Sequence, residues 1–284
     1  MAGRRHWSTV IEGLDPYTDH EQISRILVHH EFPWDITQAL SFALFRTYAV
    51  PSIGRLLFET GEFTTRTQKR YDDTALLLDE VTEHGLSDQA GRAAVRRINQ
   101  MHGMYDISND DMRYVLSTFV VMPVRWLEDY GWRALSPKER TASTEHYKRL
   151  GRHLGIKDVP ASYDEFERLL EDYEAAHFAY DAGARAVADA TLDLMTTFPP
   201  NHLLPAPLVR RFAYALMDDR LLDAFRYPRP SAAERALARS GLRARARALR
   251  LAPPRMEPRR TVDTPNVRGY PAGYRVADLG TFPR

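Results

Sequence analysis

Apolar residues recur at three- and four-residue intervals along almost the whole chain, while the period-two alternation of a half-buried strand is nearly absent. No Asn-Gly or Asp-Gly pair offers a hairpin turn. The pattern predicts an all-α fold of about ten helices. Thr18 with Glu21 reads as a capping box for an early helix striped by Ile23, Ile26 and Leu27, with His29 and His30 at its end near Phe32-Pro33. The next helix runs through Leu40, Ala43, Leu44 and Tyr48. It yields at Pro51, which can open a third that closes at Thr60–Gly61. Thr67 is the expected cap of a helix containing Arg70, Thr74, Leu77, Leu78 and Val81, ended by Gly85.

The most informative stretch is Gly91 to Trp132. Ala94, Val95 and Ile98 precede His102 by eight, seven and four residues, so the spacing turns the His102 imidazole toward the interior. Gly103 offers a stop, and Ser108 with Asp111 caps the next helix. That helix is the most apolar of the chain, from Tyr114 through Met122, with a kink expected at Pro123. An inward histidine beside it sits in a dry pocket.

Later, Ser136 with Glu139 and Ser162 with Glu165 open two further helices. The region up to Met195 is helical with a break expected near Gly183, and Leu208 to Phe225 reads as one amphipathic helix. Ser231 with Glu234 caps an arginine-rich helix that stops at Pro253-Pro254. The last twenty-five residues read as an irregular tail laid on the surface, with a turn at Pro271–Gly273.

The 284 residues, 44% of them apolar, are enough for one large domain spanning 1–284, with the basic helix and tail of 230–284 belonging to it. The absence of cysteine excludes disulfides, thiolate ligation of a metal and cysteine nucleophiles. No apolar signal segment opens the chain, and the longest apolar run, between Arg113 and Arg125, is too short to span a bilayer; a cytoplasmic location is expected. The net charge of +1 conceals eleven arginines between Arg226 and Arg260 against Glu234 and Glu257, a local +9. Such a segment suits an anionic membrane surface, nucleic acid or the protein's own acidic faces, and a solvated, internally paired helix remains the competing reading.

Nucleotide-binding and hydrolase signatures such as GxGxxG, the P-loop, GxSxG and HExxH are missing. One ExxH occurs, Glu174 to His177, where a di-iron bundle needs two, so a helix-surface pair is the simpler reading. His146 and His153 share a face without a third ligand and are expected in solvent. Periodicity alone leaves His102 either a hydrogen-bonded core residue or a ligand.

Several segments carry a resemblance: HEFPWD (His30 to Asp35), TYAVPSI (Thr47 to Ile53), TGEF (Thr60 to Phe63), KRYDDT (Lys69 to Thr74), RINQMHGMYDISNDD (Arg97 to Asp111), YVLSTF (Tyr114 to Phe119) and YPAGYRVADLG (Tyr270 to Gly280). Together they resemble the rubber-oxygenase catalytic-domain family, which includes the latex clearing proteins and the MpaB-type oxygenases, and most closely the MpaB-type branch. The resemblance implies a b-type haem ligated by His102, with Arg70 and Thr74 reproducing the family's Arg-x-x-x-Thr pair near the cofactor. It further implies an oxygenase that uses O2 on a hydrophobic, isoprenoid or other alkene-bearing substrate. The partners that follow are that substrate and, through the basic helix 231–250, a peripheral contact with anionic membrane; nucleic acid is not expected. Where some latex clearing proteins carry a lysine before the threonine, this chain has Asp73, which cannot serve as an amine ligand. The family's acid/base glutamate has no counterpart at the same spacing; Glu59 and Glu62 are the nearby candidates, and Glu59 is favoured because it follows Leu56, Leu57 and Phe58. A haem-binding sensor or storage protein and a cofactor-free helical interaction module are the competing functions.

Overall fold

The structure is a computed structural model that describes residues 3–281. Among the described residues it contains fourteen α-helices and no strand. In chain order they are α1 (His6–Glu12), α2 (His20–Ile26), α3 (Pro33–Tyr48), α4 (Pro51–Glu59), α5 (Glu62–Thr65), α6 (Thr67–His84) and α7 (Gln89–His102). The second half adds α8 (Asn109–Tyr130), α9 (Pro137–His153), α10 (Tyr163–His177), α11 (Ala182–Thr196), α12 (Ala206–Leu216), α13 (Asp219–Phe225) and α14 (Ala232–Leu249). The count exceeds ten because the short α1 and α5 carry no stripe legible in the sequence and the expected 208–225 helix is two.

Local chemistry explains most of the boundaries. Ser108, Ser136, Ser162 and Ser231 each accept a hydrogen bond from the backbone N–H three residues on, and Glu139 and Glu234 complete reciprocal capping boxes. Two caps differ from expectation. Asp19, not Thr18, precedes α2, and Glu21 is engaged elsewhere, accepting from the Leu86 N–H at 2.7 Å. Thr67 is the first residue of α6 rather than its cap, and its hydroxyl donates back to the Phe63 carbonyl. Pro123 lies inside α8 without ending it. The break expected at Gly183 falls earlier, between His177 and Ala182, with Asp181 capping α11. Gly183 serves packing instead: a Cβ there would lie 2.9 Å from the Phe58 ring. The expected 208–225 helix is two, because Asp218 caps α13 by accepting from Leu221 N–H at 2.9 Å.

α3 packs along α8, α11 along α4, and α6 along α7. One apolar cluster joins α3 to the Trp126 end of α8, to α11 and to α12–α13, around Phe45, Tyr48, Leu192 and Phe225. A second lies between α6 and α7, where Leu76, Leu77, Val81, Ala94, Val95 and Ile98 meet. Leu279, from the far end of the chain, is fully buried in that cluster. The tail is laid on the surface as expected, and it forms a strap across α6 and α7 that ends in the buried Leu279. Its turn is where the sequence places it, with Gly273 donating to the Tyr270 carbonyl at 3.0 Å.

Candidate functional site

α6 and α7 carry the residues that the sequence singles out. His102 is the last residue of α7, below Ile98, Val95 and Ala94, all buried. Its ring Nδ1 is buried without a hydrogen-bond partner. Burial, with a smaller contribution from the nearby Arg70 charge, lowers its pKa to about 4, so the imidazole is neutral near pH 7. Arg70 and Thr74 share a face of α6, and Arg70 Nη1 donates to the Thr74 hydroxyl. The guanidinium also sits over the Phe63 ring, 4.9 Å from its centroid. Tyr48, at the end of α3, packs edge-on against Phe63 at 5.3 Å. Its fully buried hydroxyl lies near Thr191 of α11 without a well-aligned hydrogen bond, and burial raises its pKa.

Among the described residues Arg70 has no carboxylate partner, although Asp72, Asp73 and Glu80 lie on its own helix. For Asp72 and Asp73 the strap is the reason, while Glu80 stands about 15 Å further along the helix. Asp72 Oδ2 accepts the backbone N–H groups of Arg268 and Gly269 at 3.0 and 2.7 Å, and burial raises its pKa. Asp73 is held by Lys69 Nζ at 2.9 Å and by the Tyr270 hydroxyl. Glu80 accepts from the Tyr274 hydroxyl at 2.7 Å and pairs with Arg260 at 2.9 Å. Lys69 Nζ also donates to the Gly280 carbonyl, and Arg97 of α7 to the Leu279 carbonyl. The tail thus engages Asp72, Asp73 and Glu80, and Arg70 is left without a carboxylate partner near a neutral imidazole. Sequence reading missed this role for Tyr270 and Tyr274; their four-residue spacing in YPAGYRVADLG is the available signal.

The two candidate carboxylates are placed oppositely to expectation. Glu59 is exposed at the end of α4. Glu62, beyond the left-handed Gly61, is 7% exposed and pairs with Arg66 one turn on. The positive φ of Gly61 reverses the chain between them, which sends the second glutamate inward.

Three other readings are corrected. Glu174 is not a surface partner of His177: it is buried and binds Arg46 through both oxygens, with the Tyr114 hydroxyl donating to it at 3.3 Å. His177 is exposed. His146 is buried rather than solvated, with its ring 5.9 Å from that of the buried His20, while His153 is exposed as expected. The arginines of α14 are partly spent internally: Arg235 pairs with Asp219, Arg245 with the buried Asp35 at 2.9 Å, and Arg250 donates to the Trp132 carbonyl just beyond the helix. Arg243 and Arg247 remain exposed.

A mostly apolar cavity of about 240 Å³ lies beside α6, walled by Trp34, Phe42, Tyr71, Trp126, Leu192 and Met195. Tyr71 follows Arg70 in sequence and shares a hydrogen bond with Ser41 at 2.8 Å. His102, Arg70 and Thr74 do not line the cavity, and of the apolar helix α8 only Trp126 reaches it. Among the described residues no helix is long and apolar enough to cross a membrane.

The chain is thus an all-α protein that sets an imidazole with a buried, unpartnered nitrogen near a guanidinium without a carboxylate partner, and holds a separate, mostly apolar cavity lined by Tyr71 of α6. Comparison of the sequence is specific: the chain belongs to the family described as ER-bound oxygenase mpaB/B'/rubber oxygenase, catalytic domain, which it matches over residues 28–251. It is 35% identical over 265 residues to the ER-bound oxygenase mpaB' of Penicillium brevicompactum, an alignment covering 86% of this chain and 62% of that protein. It is 34% identical over 236 residues to the ER-bound oxygenase mpaB of Penicillium roqueforti, covering 76% and 78% respectively. With mpaB of P. brevicompactum it shares 35% identity over 198 residues, 63% of this chain and half of the other.

Proposed function

We propose that the protein is a haem-dependent oxygenase acting with O2 on a hydrophobic, alkene-bearing substrate of isoprenoid type. The observation that carries the reading is the pairing of Arg70, a half-buried cation with no carboxylate partner, with His102, an imidazole held neutral and bearing a buried nitrogen without a partner. Both features cost free energy unless something completes them. A b-type haem fits the pair. Neutral imidazole is the ligating form of histidine, a haem propionate is the anion that the Arg70 guanidinium would neutralise, and the Thr74 hydroxyl would donate to the same anionic edge. When bound, the group supplies the oxygen chemistry that no side chain here can perform.

The chain's own contribution is orientation, dryness and charge. α7 fixes the His102 ring by burying the three residues above it, and Phe63 of α5, backed by Tyr48 of α3, covers Arg70. The apolar cavity beside Tyr71 suits the hydrophobic part of a substrate. Of the two glutamates, Glu62 is the better candidate for proton handling, because it alone is buried. The exposed Arg243 and Arg247 supply the charge for peripheral contact of the 231–250 helix with anionic membrane.

The test is spectroscopic. The purified protein should show one Soret-absorbing haem per chain, or acquire it from added haemin, and consume O2 with a reductant and a prenylated lipid. His102→Ala should lose the band while keeping its far-ultraviolet helicity. A His102→Ala protein with a full Soret band would sink the assignment, and a red wild-type protein consuming no O2 would leave a sensor or storage role.

A further inference from the structure

Residues 203–209 read LLPAPLV, without one polar side chain, and the first six of them are exposed. Leu203 is 75% exposed, Leu204 51% and Leu208 54%, and Phe212, one turn after Leu208 on α12, is 43% exposed. Scattered exposed leucines are ordinary; four large apolar residues within ten positions form a patch. α12 is apolar on both sides. Val209, Ala213 and Leu216 face the cavity described above while Leu208 and Phe212 face outward, and Phe212 belongs to both surfaces. Pro199, Pro200 and Asn201, which lead into the patch, also line that cavity. The patch is therefore the outer rim of an apolar hole.

The tail lines the same cavity, with Arg259, Thr261, Thr264, Pro265 and Asn266. Residues 255–268 carry four arginines against Glu257 and Asp263. Arg268 donates to Thr197 and Gln68, and neither it nor Arg259 has a carboxylate partner among the described residues. An apolar tip beside guanidinium groups that have no carboxylate partner is complementary to one kind of surface, the interface of a bilayer containing anionic lipid. We infer that residues 198–212 form a monotopic lipid-contacting surface that seats the cavity mouth in the bilayer interface, so that an apolar molecule dissolved in lipid reaches the cavity without crossing water. The inference rests on this surface and this cavity, not on the haem assignment, and its test reads binding rather than turnover.

The full chain is floated with phosphatidylcholine vesicles with and without phosphatidylserine. Binding is expected and strengthened by phosphatidylserine. The triple substitution Leu203→Asp, Leu204→Asp, Leu208→Asp should weaken it at least ~tenfold, each aspartate replacing an apolar side chain at the interface. Because the chain has no cysteine, Leu203→Cys accepts one environment-sensitive fluorophore whose emission should shift to the blue on vesicles. This probe decides the matter if the triple variant fails to fold. The inference is overturned if wild type does not float, if the triple variant floats as well as wild type, or if the fluorophore does not shift. It is equally overturned if wild type is a dimer by light scattering that the triple variant dissolves, since a second copy then covers the patch.

Discussion

The Arg70 guanidinium lies close enough to His102 to help hold its imidazole neutral, yet Asp72, Asp73 and Glu80 of Arg70's own helix are engaged by the tail. Charge at the site is thus set by a segment about 200 residues downstream, since Tyr270 reaches Asp73 across a separation of 197 and Tyr274 reaches Glu80 across 194.

Arg70→Gln should lower haemin affinity by roughly ten- to a hundredfold, the scale of one charge-assisted hydrogen bond of about 1.5–3 kcal/mol. Arg70→Lys should recover part of it, and Thr74→Val should cost less than tenfold. Haemin titration followed at the Soret band measures all three. Equal affinities for wild type and Arg70→Gln would remove Arg70 from the cofactor site.

Gly280→Val should loosen the strap. Gly280 has φ +89°, and an added Cβ would stand 1.8 Å from Met101 Sδ, so the variant carries both backbone strain and overlap. A loss of about 1–3 kcal/mol is expected. Hydrogen exchange should rise in α6 and α7 ahead of α3 and α8. Haemin affinity should fall with it, as Asp73, three residues along α6 from Arg70, becomes free to pair with it. Unchanged exchange in α6 would show that the tail does not brace the site.

Glu59→Gln should leave turnover unaltered, because Glu59 is exposed, whereas Glu62→Gln should reduce kcat by at least ~tenfold if proton handling falls to the buried carboxylate. Haem content is measured first in each. Because Glu62 also pairs with Arg66, Arg66→Gln serves as the control for a merely structural effect. A loss shared equally by Glu62→Gln and Arg66→Gln would assign the pair to packing.

Stability should fall as pH drops below about 6.5. Burial, with a smaller push from His20, lowers the His146 pKa to about 3, so between roughly pH 6.5 and 3 the unfolded chain binds a proton that the folded chain refuses. The stability contributed by neutral burial is fully present above 6.5 and is lost toward acid at ~1.4 kcal/mol per pH unit for one such group. His146→Leu should flatten the slope of urea-unfolding free energy against pH by up to that amount. An unchanged slope would mean that His146 is accessible to protons in the folded state.

Local order was legible because it is made of interactions within one or two turns. The period of apolar residues gave the helices, serine three residues before an acid gave their starts, and the Ala94, Val95, Ile98 spacing gave the inward side of His102. What the sequence could not decide is which charge meets which. Glu174 was read with His177, three residues away, but binds Arg46, 128 residues away; His146 looked solvated, but α2 covers it with His20; Glu59 looked inward by its apolar neighbours, but the left-handed Gly61 gives burial to Glu62. Arg70 had Asp72 and Asp73 within a turn on paper, and both are taken by the strap and its neighbours. Helical periodicity fixes a face of one helix, whereas pairing and burial depend on what packs against that face, and only the folded chain brings those partners together.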